Sequence, residues 1–152
     1  MAAHLARRGL DVLGIDLSPR CVALARQEQP ALRFEVMDLR ALALPAASLD
    51  GLVAYYALHD QPKAGLPAAF AEWARVLRPG GQLLVVAKEG AGEGPIPDPL
   101  GSGIAVWWTA FTPAELQAPA EAAGFRVQAC LTRDPLPGEL AARRISLSAT
   151  RS

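Results

Sequence analysis

The stretch EWARVLRPGGQLLVVAK occupies residues 72–88. Its first half completes an amphipathic helix over 66–78, with Phe70, Trp73, Val76 and Leu77 on one face. Pro79, Gly80 and Gly81 then break the helix, since proline brings no amide donor and glycine costs backbone entropy. Residues 82–88 form the most apolar strand of the chain. A helix delivered through a short break into an apolar strand is part of a βαβ unit. The rest of the chain is read outward from it.

Upstream, residues 49–56 (LDGLVAYY) read as a strand, followed by a loop through His59, Asp60 and Pro62. A proline-interrupted connection covers 42–48, and before it LRFEVM (32–37) alternates as a strand and leads into Asp38. Residues 11–16 (DVLGID) form a short β-type run ending in Asp16. Ser18 and Pro19 supply an N-cap and an N1 proline for a helix over Cys21, Val22, Leu24 and Ala25 that stops before Pro30. At the start, His4, Leu5 and Arg8 lie on a helical face that Gly9 terminates.

Downstream, residues 89–111 are rich in glycine and proline and then carry Trp107, Trp108 and Phe111. So long a connection in a compact domain is functional or disordered, and two adjacent tryptophans argue against plain disorder. Thr112, Pro113 and Glu115 make a capping box, and the helix it opens ends at Gly124, with Pro119 expected to kink it or delay its start. Residues 125–131 and 145–149 read as two closing strands around a turn at Pro135, Pro137 and Gly138. The pattern predicts an α/β fold: a Rossmann-like, mainly parallel sheet with a C-terminal antiparallel hairpin, as one domain over 1–152 without internal repeats.

Composition excludes several classes. The chain has 152 residues, 51% of them hydrophobic, with 15 basic and 15 acidic side chains. Zero net charge argues against binding nucleic acid or a membrane surface through bulk positive charge. No apolar run approaches the roughly 18 residues of a membrane span. Cys21 and Cys130 lack metal-ligand spacing and read as reduced, partly buried thiols, so no metal is expected. Without a signal-peptide pattern, a cytoplasmic location is the default.

In open α/β sheets, ligands bind outside the carboxyl ends of the strands. Asp16 sits at one such end, where a carboxylate can accept both ribose hydroxyls of a nucleotide or simply favour the helix starting at Ser18. Asp38 and Leu39 follow the next strand, where the carboxylate could take an exocyclic amine and the leucine cover a base, or Asp38 could be a turn residue. At the third end, His59 could shuttle a proton or be a hydrogen-bonded loop histidine. Trp107 and Trp108 could wall an apolar substrate pocket or pack over the sheet.

Taken in order, these segments resemble the class I S-adenosylmethionine-dependent methyltransferases, in particular their small-molecule branch. The resemblance runs through VLGIDLSPRCVALAR, FEVMDLRALALPAASLDGLVAYYALHD, EWARVLRPGGQLLVVAKEG and TPAELQAPAEAAGFRV, and so covers nearly the whole chain. It implies that Asp16 holds the cofactor's ribose hydroxyls with Leu17 against the adenine. Asp38 would take the adenine amino group, with Leu39 beside it. Tyr55 would lie near the methionine portion, and His59 near the mouth shared by cofactor and substrate. The implied reaction is in-line transfer of a sulfonium methyl to a small-molecule acceptor, with His59 as the base if the nucleophile must lose a proton.

The family also has a first strand ending in an acidic residue and a Gly-rich loop. MAAHLARRG (1–9) resembles the helix after that loop, so the resemblance implies a chain truncated at its N-terminus, with impaired activity. Exposed inner strand edges would then favour self-association into a homo-oligomer. Two other readings stand beside this one. The first is a non-catalytic remnant, or a binding module completed by a partner strand. The second is a nicotinamide-dependent oxidoreductase, for which Asp16 would also serve, although VLRPGG and the terminal hairpin speak against it.

Overall fold

A computed structural model describes residues 1–98, 101–139 and 141–152. The expected glycine- and proline-rich connection includes Pro99 and Leu100, which lie outside the described residues. The chain divides into two compact units, Met1–Leu44 and Pro45–Ser152.

The first unit contains α1 (Ala2–Arg7), β1 (Leu13–Asp16), α2 (Pro19–Glu28) and β2 (Arg33–Val36). The Ser18 hydroxyl accepts the Cys21 amide at 3.3 Å and Pro19 occupies the first turn, so α2 starts where the cap predicts. β1 and β2 pair in parallel, with Gly14 opposite Phe34 and Asp16 opposite Val36. The Phe34 ring lies directly over Gly14, and a Cβ there would come within 2.4 Å of it. Buried apolar side chains are few here, namely Val22 and Leu42 among the described residues. Cys21 is exposed rather than partly buried, being on the outer face of the first turn of α2, while Cys130 is half-buried.

The second unit holds most of the buried apolar side chains. It runs β3 (Leu49–Tyr55), a single 3₁₀ turn (Lys63–Gly65), α3 (Leu66–Val76), β4 (Leu77–Lys88), β5 (Glu93–Ile96), β6 (Val106–Thr109), α4 (Pro113–Ala122), β7 (Phe125–Arg133) and β8 (Arg144–Arg151). Four strands form one sheet in the order β3-β4-β8-β7. β3 and β4 are parallel, while β8 is antiparallel to both β4 and β7. The Rossmann-like reading therefore holds in a mixed form: parallel pairs β1/β2 and β3/β4, and an antiparallel C-terminal hairpin whose last strand lies inside its first.

β4 begins earlier than the sequence suggests. Leu77 already pairs with Leu49, and the register then jumps so that Gly51 faces Gln82. Residues 78–81 are absorbed as a bulge rather than a loop between elements. Gly81 is required there, because a Cβ would lie 2.8 Å from the Arg78 carbonyl oxygen. Beyond the bulge, Leu83, Val85 and Ala87 point to one face, paired with Ala149, Leu147 and Ile145, and all six are buried. α3 and α4 contribute Phe70, Trp73, Val76, Leu116 and Ala120 to the core. Phe70 lies 4.9 Å from Trp73 and 6.4 Å from Phe125, centroid to centroid.

α4 opens with the expected capping box: the Thr112 amide donates to Glu115 Oε2 at 2.8 Å, and the Glu115 amide donates to the Thr112 hydroxyl. Pro119 does not delay the start, which stays at Pro113. The segment 89–111 contains structure that its composition hides. β5 and β6 form a small antiparallel pair, with Pro95 opposite Trp107 and Gly94 opposite Trp108. No helix among the described residues is long and apolar enough to cross a membrane.

Candidate functional site

In the first unit, Asp16 and Asp38 leave the same end of the β1/β2 pair. The register sets Asp16 beside Val36, and the Met37 amide donates to the Asp16 carbonyl at 3.1 Å. Asp16 is exposed, and its Oδ1 accepts the Ser18 amide at 2.8 Å. That bond serves the start of α2. A carboxylate has about four lone-pair sites, so one such bond leaves capacity for a ligand's hydroxyls. Leu17 is 65% exposed at the same strand end, an apolar side chain presented to solvent beside a carboxylate.

Asp38 is more committed. The Arg40 side chain grips it with Nη2 at 2.6 Å from Oδ2 and Nε at 3.0 Å from Oδ1, and the Arg40 amide adds a bond at 2.9 Å. Hydrogen bonding to Arg40 holds the Asp38 carboxyl below its usual range. The turn function considered for Asp38 is thus present, and Leu39 sits half-buried within that turn.

In the second unit, β3 ends at Tyr55, whose side chain is exposed and meets the Tyr56 ring edge-on at 4.8 Å. Tyr56 has a φ of 55°, a backbone conformation costly for a bulky residue and concentrated at functional sites. His59 is buried, with its ring centroid 5.3 Å from Tyr56 and 6.1 Å from Phe111. The Lys88 amide donates to His59 Nε2 at 3.3 Å, so that nitrogen is the acceptor. Nδ1 then carries the proton and donates to the Thr109 carbonyl at 3.0 Å. Burial pushes the His59 pKa below its ordinary value, against a smaller opposing effect of the Thr109 carbonyl. A neutral ring with both nitrogens on backbone partners must give up a bond before it can take a substrate proton.

The two tryptophans are separated by the strand they share. Successive side chains of β6 point to opposite faces, so Trp107 and Trp108 cannot line one wall together. Trp108 lies across Gly94 of the paired strand and Gly92 just before it, whereas the Trp107 indole nitrogen is buried.

A cluster that local sequence signals miss lies in the four-stranded sheet, at the end where β3 delivers Tyr55. Lys88, Arg144 and Arg133 are directly paired across β4, β8 and β7. Paired residues share a face, so three cations stand in a row at the carboxyl end of β4. Nothing local marks them, because the row exists only through strand register.

The sequence profile of a family described as "methyltransferase domain" matches residues 1–81. The malonyl-[acyl-carrier protein] O-methyltransferase of Serratia marcescens is 40% identical over 77 residues, which cover 51% of this chain and 29% of that protein. The demethylmenaquinone methyltransferase of Beutenbergia cavernae is 34% identical over 84 residues, 55% of this chain and 34% of that protein. The matches thus span about a third of the length of these curated relatives. Among solved structures, a SAM-dependent methyltransferase from Methanosarcina mazei superposes with a TM-score of 0.87 at 18% identity, covering 99% of this chain and 86% of that one. The 1,6-didemethyltoxoflavin-N1-methyltransferase of Burkholderia thailandensis, solved with S-adenosylhomocysteine, gives 0.73 at 22% identity, covering 99% and 65%. At these identities the structural likeness is one of fold.

Proposed function

The chain belongs to the methyltransferase domain family, and on that footing we propose that it transfers a methyl group from S-adenosylmethionine to a small-molecule acceptor. The observation that carries this reading is the parallel register of β1 and β2, which delivers Asp16 and Asp38 from neighbouring strand ends. When bound, the cofactor supplies an electrophilic sulfonium methyl.

Asp16 accepts the ribose hydroxyls through the carboxylate capacity that Ser18 leaves open, and Leu17 offers its exposed side chain to the adenine. Asp38, with Leu39 beside it, takes the adenine amino group on an oxygen that Arg40 already keeps ionised. For Tyr55, the family resemblance implies a role near the methionine portion. His59 acts by position: its two bonds tie the end of β6 to the end of β4. Catalysis then rests mainly on aligning acceptor and methyl rather than on proton removal. Trp108, 38% exposed, is the apolar surface offered to an acceptor. The likenesses do not favour an oxidoreductase or a non-catalytic module.

Calorimetric titration with S-adenosylhomocysteine tests the reading. Binding is expected, and Asp16→Asn should weaken it by about 1.5–3 kcal/mol, the scale of a hydrogen bond to a charged group. Absence of binding by the well-folded chain overturns the assignment, and unchanged affinity in the variant overturns the ribose role.

A further inference from the structure

We propose that Arg133 and Arg144 form the seat for a carboxylate carried by the methyl acceptor, and that Glu139 occupies this seat as an internal stand-in. The identity of the ligand as the acceptor rests on the methyltransferase reading; the anion seat itself does not.

Glu139 lies on the connection between β7 and β8 and reaches back onto both strands. Arg133 holds it with both ends of the guanidinium, Nη1 at 2.7 Å from Oε2 and Nη2 at 2.8 Å from Oε1. Arg144 Nη1 adds a contact at 2.9 Å, and the Leu136 amide donates to Oε2 at 2.7 Å. A planar fork matched to two carboxylate oxygens is the geometry by which arginine recognises carboxylate ligands. The hydrogen bonds from Arg133 and Leu136 hold the Glu139 carboxyl down at about 2.

Three features distinguish this arrangement from an ordinary surface ion pair. Arg144 is only 5% exposed, although arginine is seldom buried so deeply. Its guanidinium lies 5.9 Å from the centroid of the Tyr56 ring, the residue with the costly backbone conformation at the end of β3. The ring attracts the guanidinium and helps hold it in place for an anion to meet.

The second feature is a run of like charges. Like charges directly opposite one another in a sheet repel, and here Lys88, Arg144 and Arg133 are paired in sequence across three strands. Arg143 is separately matched by Glu89 and Asp134. Among the described residues, Glu139 bridges the two arginines of the row.

The third feature is where that carboxylate comes from. Glu139 follows Pro135, Pro137 and Gly138 in a turn closed by its own amide on the Leu136 carbonyl at 3.0 Å. Withdrawing it requires rearranging that turn, not the strands that hold the arginines. The seat lies at the carboxyl end of β4, the sheet edge where ligands of open α/β folds bind.

The test is an NMR titration of the full chain with malonate, reading the Arg144 Nε–Hε resonance. Malonamide and sodium chloride at matched ionic strength serve as controls. Glu139→Gln keeps the shape of the side chain but removes its charge, and should bind malonate at least tenfold more tightly than the parent chain. Malonamide and chloride should leave the resonance in place, and adding Arg133→Gln to the variant should abolish the response. Equal malonate affinity in parent and Glu139→Gln overturns the proposal, as does an equal response to malonamide. Should Glu139→Gln unfold, Glu139→Ser provides the same comparison. S-adenosylhomocysteine binding is measured in parallel: its retention without a malonate response refutes the seat alone, whereas a malonate response without it refutes the cofactor reading alone.

Discussion

Across fifty residues of sequence, the imidazole of His59 donates from Nδ1 to the backbone carbonyl of Thr109 at 3.0 Å. With the Lys88 amide on Nε2, the ring joins three chain segments and stays neutral. Burial favours that neutral form. The unfolded chain takes up a proton as pH falls below about 6.5, the ordinary imidazole value. The folded chain does so only at lower pH. The stability due to His59 is therefore fully present above that pH and is lost as pH falls toward the folded value. His59→Phe should cost about 1–3 kcal/mol by stranding two backbone groups, and should flatten the fall in melting temperature below pH 6.5. Thermal melts between pH 4.5 and 8 check both effects.

Gly14 and Phe34 make a second pair open to a direct test. Gly14→Ala sets a methyl against the Phe34 ring and should destabilise the β1/β2 pair by about 1–3 kcal/mol, the usual range for overpacking. Phe34→Leu on the same background should recover part of the loss. Denaturant melts across the double-mutant cycle measure the coupling, and additive effects would contradict the contact.

The two units should differ in how readily they open. Val22 and Leu42 are the buried apolar side chains described in the first, whereas Phe70, Trp73, Leu83, Val85 and Leu147 belong to the second. Opening free energy follows buried apolar contact. Amides of Ile15 and Phe34 should therefore exchange with solvent faster than those of Val85 and Leu147. S-adenosylhomocysteine should slow the first pair selectively, as seen by hydrogen exchange with mass spectrometry.

Thr112→Ala removes the hydroxyl half of the capping box and should cost about 0.5–2 kcal/mol, while Thr112→Ser should be close to neutral. Glu115 also accepts from Lys63 Nζ at 2.7 Å, so Glu115→Ala should exceed the effect of Thr112→Ala. Chemical denaturation of the three variants gives the order.

What could be read from the sequence was what short-range chemistry encodes. Ser18 with Pro19 and Thr112 with Glu115 announce their helices because each cap is completed within four residues. Asp16 and Asp38 were legible as strand ends for the same reason. The β5/β6 pair was not, because Gly94 and Pro95 mask a strand whose partner lies past a glycine-rich stretch. Trp107 and Trp108 read as neighbours, yet the pleat sends them apart. The Arg133, Arg144 and Glu139 cluster was invisible because strand register, not sequence proximity, places Arg144 between Lys88 and Arg133.

The bulge at residues 78–81 also acts as an indexing notch for the whole sheet. Strand side chains alternate with a period of two, so deleting one residue there would rotate every later position of β4 to the opposite side. Leu84, Val86 and Lys88 would turn to the fully buried side, and Leu83, Val85 and Ala87 would turn away from it. A shortened bulge would thus drive the Lys88 ammonium into the hydrocarbon interior and displace the backbone amide that holds His59. Gly81, where a Cβ would meet the Arg78 carbonyl oxygen, lets the backbone make that notch.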